Sequence, residues 1–244
     1  MRARLSGGSS LEDSNELPAL MRAVARPMRH RFYQQRGKRA LDVLLSVLIG
    51  LVCWPVLLIS TVLVRLTLGS PILFRQTRPG LHGEPFVLFK LRTMTEQRDE
   101  SGWPGPDAPR LRSLGLLLRR TSIDELPQLF NALKGDMSLV GPRPLLMEYL
   151  DRYTPEQARR HTVLPGITGL AQTSGRNAIS WNEKFALDLE YVDNVSLLLD
   201  LKILARTAFR VVTQQGINEA GHATTREFIG VPHASRQAIE NREC

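Results

Sequence analysis

The chain is poor in cysteine and in aromatic residues. It has two cysteines among 244 residues, and aromatic residues make up 6% of it. Cys53 lies inside an apolar run and Cys244 is the last residue, so no disulfide or metal framework is predicted. A cleavable signal peptide is not predicted either, because the apolar run begins beyond residue 40 and has no small-residue cleavage site.

Acidic residues are outnumbered by basic ones, 24 to 32, which gives a formal net charge of +8 and a pI near 10.1. Such an excess predicts an anionic partner: nucleic acid, anionic lipid or a phosphorylated substrate. Since the chain also has a long apolar segment, the negatively charged surface of a cytoplasmic membrane leaflet is the simplest partner. A length of 244 residues allows one sizeable domain, or a domain with an anchor.

The apolar segment runs from Val43 to Val64 without a charge and contains Trp54-Pro55 at its middle. As a helix it is about 33 Å long, enough to cross a bilayer core. Both flanks are basic, whereas a crossing helix is normally basic on one side. Together with the bend that Pro55 favours, these flanks predict a re-entrant membrane helix that returns to the same face. An ordinary single-pass anchor is the alternative, since spanning helices tolerate proline.

The rest of the chain predicts an α+β, mostly helical fold with a small β-hairpin and a compact helical catalytic domain carrying interfacial amphipathic helices. The predicted units are a disordered basic arm (1–35), the re-entrant membrane helix (36–68), the catalytic domain (69–229) and a flexible tail (230–244). Turn residues between the runs 72–76 and 86–90 predict the hairpin, and 102–109 predicts a surface loop. Helices are predicted over Leu111–Arg120, Leu126–Lys134, Pro144–Tyr153, Asn182–Asp193 and Leu198–Val212.

The last of these helices is amphipathic. Its spacing puts one apolar set on one face and the basic residues Lys202, Arg206 and Arg210 on another. Such a helix can lie in a membrane interface, and a core-facing helix with a solvated basic side is the alternative. The apolar set consists of Leu201, Leu204, Ala205, Ala208 and Val212.

The densest polar cluster is Arg119-Arg120-Thr121-Ser122-Ile123-Asp124-Glu125, followed by Leu126-Pro127-Gln128. Ser122 and Glu125 fit a capping box, but Pro127 favours Asp124 as the helix cap. Two adjacent carboxylates near Arg119 can also supply a nucleophile and a magnesium ligand for phosphoryl chemistry. Capping and catalysis remain open at this point.

Two further loops carry polar side chains. Arg143 lies between Pro142 and Pro144, so it is pre-organised for a phosphate contact, and an exposed turn arginine is the alternative. The second loop, 165–172, ends in Gln172 and is followed by Gly175-Arg176-Asn177, whose polar side chains suit a ligand.

Taken in order, four motifs strongly resemble the bacterial sugar transferase family, the monotopic phosphoglycosyl transferases. The resemblance extends from about Lys38 to Phe228 and is to the small, single-domain members. The stretches 176–181 and 219–225 resemble members that initiate glycans with di-N-acetylbacillosamine-type sugars. The motifs are Phe89-Lys90-Leu91-Arg92-Thr93-Met94, Asp124-Glu125-Leu126-Pro127-Gln128-Leu129-Phe130-Asn131, Lys134-Gly135-Asp136-Met137-Ser138 with Gly141-Pro142-Arg143-Pro144, and Pro165-Gly166-Ile167-Thr168-Gly169.

The resemblance implies transfer of a sugar-1-phosphate from a UDP-sugar to polyprenyl phosphate, with release of UMP, at the cytoplasmic face of a bacterial inner membrane. It implies Asp124 as the nucleophile, Glu125 as its partner, Mg²⁺ held by Asp124 and Glu125, and a helix break at Pro55, where Trp54 replaces the family's usual serine. The residues expected to bind phosphate or substrate are Arg119, Arg143, Lys90, Arg92, Gln172, Arg176 and Asn177.

Two other interpretations stay open. One is the same chemistry on a hexose such as glucose or galactose, because sugar-selecting residues cannot be identified from one sequence. The other is a membrane-tethered scaffold or nucleic-acid-binding protein, which the charge alone permits. The few aromatic residues offer little for base stacking, so no nucleic-acid partner is expected.

Overall fold

The longest element of the protein is a single apolar helix at the start of the described chain. The computed structural model describes residues 33–95, 110–111, 113–175, 179–213 and 227–230. Helix α1 (Lys38–Leu68) follows a π-helical turn (Tyr33–Gly37) and passes through Pro55 as one continuous element. Within the described residues it is the one helix long and apolar enough to cross a membrane. The predicted basic arm up to residue 32, the loop 102–109 and the tail from 231 lie outside the described residues.

Helix α1 is buried only near its two ends. Lys38, Asp42 and Ser46, spaced four residues apart, are buried at the first end, and Ser60 and Val64 at the second. Large apolar side chains dominate the middle and point outward, so Leu51 is 67% exposed. The two ends therefore pack on the rest of the protein, while the middle offers an apolar surface.

The predicted hairpin is present and slightly longer than expected. Strands β1 (Leu73–Pro79) and β2 (Pro85–Leu91) pair antiparallel, from Leu73 opposite Leu91 to Pro79 opposite Pro85. The connection between them contains a short 3₁₀ turn in which Gly83 has a φ of 81°, a conformation that glycine adopts without steric cost. Phe86 and Leu88 of β2 are buried, so this face of the hairpin packs inward.

Short helices and one further strand pair make up the remainder. Sequence reasoning missed the parallel pair, β3 (Ser138–Val140) and β4 (Gly166–Thr168), whose three-residue strands are too short to show a periodicity. Val140, Ala132, Tyr191 and Ile203 are fully or almost fully buried and form the centre of the core. The helices are α2 (Ser113–Thr121), α3 (Gln128–Lys134), α4 (Pro155–Ala158), α5 (Leu170–Ser174), α6 (Trp181–Asp193) and α7 (Leu197–Thr213).

One predicted helix differs from the structure, and another had two possible orientations. The predicted helix Pro144–Tyr153 is a six-residue 3₁₀ helix, Met147–Arg152, because Leu146 before it is extended, with ψ of 148°. In α7 the buried positions are Asp200 and Ile203, and the predicted apolar face is divided: Leu201 is 45% exposed, whereas Leu204 is partly buried against the core. Tertiary packing, rather than the apolar stripe, decides which side of α7 is covered.

Candidate active site

The chain turns sharply just before the two adjacent carboxylates. Ser122 has a φ of 58°, in the left-handed region, and a 3₁₀ turn (Ile123–Glu125) follows before α3 begins at Gln128. Both capping predictions are wrong, because Ser122 makes no side-chain cap bond and Asp124 lies inside the 3₁₀ turn. The N–H groups of Glu125 and Leu126 already bond to the carbonyls of Ser122 and Ile123, and Pro127 has none. The two carboxylates are thus free for other partners.

Glu125 lies between two cations. Its Oε1 accepts a hydrogen bond from Lys90 Nζ and another from Arg143 Nη2, each at 2.7 Å. Burial acts against the charge on Glu125, but the two cations outweigh it and hold the pKa of this carboxyl well below its ordinary value. Glu125 is therefore ionised throughout the physiological pH range and holds the two cations in place.

The neighbouring Asp124 has a different environment. It is 7% exposed, and among the described residues no group donates a hydrogen bond to its carboxylate. Burial, with the charge of Glu125, raises the pKa of Asp124 to about 6, although Lys90, Arg119 and Arg143 act in the opposite direction. At neutral pH this side chain is thus an ionised, poorly solvated carboxylate with no internal partner, which suits a nucleophile.

Asp124 and Glu125 are called the dyad below. Lys90 is brought to this dyad by the docking of α3 on β2. The fully buried Asn131 of α3 donates to the carbonyl of Val87 at 2.7 Å and accepts from the N–H of Phe89 at 3.2 Å. These two bonds fix the strand beside the 3₁₀ turn, one residue before Lys90. From the sequence, Asn131 is identified only as the last residue of a motif, and nothing in the sequence indicates that it bonds to strand β2.

Arg143 is brought to the dyad by the packing of two glycine-containing loops. The N–H of Gly141 bonds to Thr168 O, and the N–H of Gly166 bonds to Pro142 O, both at 2.9 Å. A side chain on Gly166 would put a Cβ 2.0 Å from the backbone nitrogen of Gly141, so the close approach requires glycine. The predicted motifs around Arg143 and around Pro165–Gly169 are therefore one structural unit.

The other predicted site residues lie in several places. Arg119 donates through Nε to Thr93 Oγ1 at 3.0 Å and contributes positive charge at Asp124. Arg92, by contrast, is buried and donates to the carbonyls of Leu68 and Ser70 at the end of α1, so it holds this helix rather than the Asp124–Glu125 pair.

Gln172 lies in α5 beside the loop that carries Arg143. Its amide atoms are buried and have no hydrogen-bond partner among the described residues. A Cβ built on Gly169 would lie 2.6 Å from Gln172 Oε1, and Gly169 itself packs against Gly141. An unpaired buried amide at this position is suited to a ligand. Arg176 and Asn177 lie outside the described residues.

Comparison with known proteins identifies the family. The sequence profile described as bacterial sugar transferase matches residues 33–214. An uncharacterized sugar transferase, EpsL, of Bacillus subtilis (strain 168) is 56% identical over 194 residues, covering 79% of this chain and 96% of the relative.

Two further relatives carry activity names. A UDP-glucose:undecaprenyl-phosphate glucose-1-phosphate transferase of Caulobacter vibrioides is 42% identical over 191 residues, with 72% of this chain and 70% of that protein covered. An undecaprenyl-phosphate galactose phosphotransferase of Salmonella typhimurium is 36% identical over 196 residues, with 73% and 41% covered. The protein is an enzyme, a phosphoglycosyl transferase. The chain belongs to the bacterial sugar transferase family, and this membership favours an enzyme over a scaffold or a nucleic-acid-binding protein.

Proposed function

We propose that the protein transfers a sugar-1-phosphate from a UDP-sugar to polyprenyl phosphate through a covalent intermediate on Asp124. The observation that carries the proposal is the dyad itself. Asp124, a buried carboxylate to which no described residue donates a hydrogen bond, stands beside Glu125, a carboxylate that accepts from both Lys90 and Arg143. The relatives named for transfer from UDP-glucose or transfer of galactose to undecaprenyl phosphate support the same reaction class.

The reaction proceeds in two displacements at one phosphorus. An oxygen of ionised Asp124 attacks the β-phosphorus of the UDP-sugar, and the bond to the bridging oxygen breaks, so UMP leaves with that oxygen. The resulting aspartyl phosphosugar is then attacked by an oxygen of polyprenyl phosphate, which releases the Asp124 carboxylate and forms the lipid diphosphosugar. Arg119, Arg143 and Lys90 stabilise the negative charge on the phosphates in both steps.

The donor set of the dyad fits a magnesium ion. Mg²⁺ prefers carboxylate oxygens and commonly binds through one or two of them together with substrate phosphates. Asp124 and Glu125 would hold it. The described ranges contain no group of three or more His, Cys, Asp or Glu side chains that could hold a metal ion. When bound, the ion supplies charge neutralisation for the pyrophosphate.

The contacts of α1 support a re-entrant topology. At its first end Lys38 bonds to Asp200 and to the carbonyl of Val140, and at its last end Arg92 bonds to the carbonyl of Leu68. Both ends are therefore held by the same catalytic domain, while the exposed middle is apolar. A helix crossing to the far side would leave one of these ends without its partner.

The outward face of α7 supports a contact with the membrane surface. Leu198, Leu201 and Phe209 are exposed, Phe209 by 63%, and Lys202 and Arg206 are exposed on the same helix. A helix with exposed apolar and basic side chains can lie in the headgroup region of an anionic bilayer. With the catalytic domain on the cytoplasmic face of the inner membrane, both the soluble UDP-sugar and the lipid phosphate would reach the dyad.

Two classes of donor sugar are supported. The sequence resemblance of 176–181 and 219–225 favours an N-acetylamino sugar such as UDP-di-N-acetylbacillosamine, because Arg176 and Asn177 can hydrogen-bond an acetamido group. The named relatives favour UDP-glucose or UDP-galactose as the donor.

Release of UMP from a panel of UDP-sugars, with and without undecaprenyl phosphate, tests both the reaction and the donor. Fastest release with an N-acetylamino sugar would support the first class, and fastest release with a hexose would support the second. Absence of UMP with every donor in the panel would argue against the reaction itself.

A further inference from the structure

A buried arginine outside the dyad holds the backbone of Arg143. Arg160, in the 3₁₀ segment Arg159–Thr162, is 2% exposed, and its Nη2 donates to the carbonyl oxygen of Arg143 at 2.7 Å. The side chain of Arg143, 43% exposed, reaches in the other direction to Glu125. The carbonyl of Arg143 is thus held by a buried side chain, while its guanidinium contacts the dyad.

Arg160 is itself held rigidly. Its Nε and Nη2 donate to Oδ2 of Asp188 on α6 at 3.1 and 2.7 Å, and Asp188 is 4% exposed. The guanidinium also lies over the rings of Tyr153 and Phe185, 5.7 and 5.8 Å from their centres. The planar guanidinium of an arginine can donate hydrogen bonds to a carboxylate and to a carbonyl at the same time. The compact ammonium group of a lysine is less suited to this geometry.

Stability alone does not account for the buried ion pair between Arg160 and Asp188. A buried ion pair is often no more stabilising than apolar residues of the same volume. The loop Gly141–Pro144 has two backbone anchors from the β4 region, at Gly141 N and Pro142 O, and the second holds the peptide that precedes Arg143. Among the described residues, Arg160 is the one that donates to the carbonyl of Arg143, and it thereby holds the peptide that follows.

We propose that Arg160, held by Asp188, is a positioning residue that sets the Arg143 peptide so that its guanidinium reaches Glu125 and the donor phosphates. The proposal rests on the proposed function of Arg143. A shift of the order of 1 Å in a phosphate-holding group costs about a hundredfold in rate, so loosening this peptide should be visible in turnover without unfolding the protein.

The test uses the full chain in detergent or nanodiscs, with undecaprenyl phosphate and the fastest donor of the UDP-sugar panel. The double variant Arg160→Met/Asp188→Leu removes both buried charges together, so neither is left unpaired. We expect a loss of about tenfold to about a hundredfold in kcat/KM for UMP release, with a thermal midpoint close to that of the parent. Arg160→Lys is the second variant, which keeps Asp188 neutralised and should lose activity for the same reason.

The matched control is Arg159→Met/Asp193→Asn. Arg159 and Asp193 form an ion pair between the same 3₁₀ segment and α6, but they are partly exposed and do not contact Arg143. This variant should keep the parent kcat/KM. A loss equal to that of the buried pair would mean that any loosening of the two elements impairs the enzyme, which would overturn the proposal.

Combination with Arg143→Ala separates positioning from a structural role. If Arg160 acts through Arg143, the variant carrying all three changes is no slower than Arg143→Ala alone. The proposal would be overturned if the loss in the triple variant equalled the product of the losses in Arg143→Ala and in the double variant. It would also be overturned if the double variant and Arg160→Lys both kept the kcat/KM of the parent. Failure of the proposed function is distinguishable, because then the parent itself releases no UMP.

Discussion

Lys38 at the start of α1 and Asp200 near the start of α7 form a buried ion pair, with Nζ and Oδ2 2.7 Å apart across 162 positions of sequence. Asp200 also accepts from the hydroxyls of Tyr33 and Tyr191, at 2.5 and 2.8 Å. The first turn of α1 is thereby joined to the core of the catalytic domain.

Loss of this ion pair should destabilise the protein. Lys38→Met leaves Asp200 buried and charged, and we expect a cost of about 3–5 kcal/mol, seen as a lower thermal midpoint in detergent. Lys134→Met is the control, since Lys134 forms an exposed pair with Asp136, and it should leave the midpoint almost unchanged. Equal thermal midpoints for the two variants would contradict a stabilising role of the Lys38–Asp200 ion pair.

Asp124→Asn should abolish turnover by removing the charge of the nucleophile. The loss of kcat should exceed about a thousandfold, as for other essential nucleophiles. Glu84→Gln, at an exposed acidic residue of the hairpin turn, should retain activity. Mass spectrometry of the parent mixed with donor alone should find the phosphosugar on the peptide containing Asp124. An adduct on another residue would reject the assignment.

Glu125→Gln should weaken the binding of magnesium. The amide removes a charged oxygen ligand and leaves Lys90 and Arg143 without the carboxylate that both contact. A titration of UMP release against Mg²⁺ should therefore move to higher concentrations of the ion. A titration curve identical to that of the parent would remove Glu125 from the metal site.

Activity should fall on the acid side because Asp124 must be ionised to attack. Its pKa is raised to about 6, so kcat/KM should be near its plateau above that pH and fall about tenfold per pH unit below it. Lys90→Met removes a cation that lowers the pKa of Asp124, so its acid limb should lie at higher pH. A limb that stays in place in this variant would show that another group controls the profile.

The two flanks of α1 should be on the same side of the membrane. Single cysteines near Ser10 and near Asp107, in a background in which Cys53 and Cys244 are replaced by serine, should be labelled equally in sealed vesicles of one orientation. Opposite accessibility would mean a spanning helix. Pro55→Ala restores the missing N–H donor, so it should shift part of the population to that spanning form.

Local patterns in the sequence predicted much of the fold. The apolar run of α1, the hairpin and the helices near α2, α6 and α7 were expected close to where they lie, because each depends on a run or a periodicity of neighbouring residues. The motif that contains Asp124 and Glu125 was likewise identified from residue types and order.

Contacts between distant segments were decided only by the tertiary structure. The sequence has no signal that Arg160 holds the carbonyl of Arg143 or that Arg92 binds the end of α1, and it left the orientation of α7 open between two alternatives. Each depends on which surfaces meet when the chain packs, and a side chain's partner 17 or more positions away is set by that packing. Composition determined that the protein is basic and has one membrane-length apolar helix, whereas packing determined which charges are buried and paired.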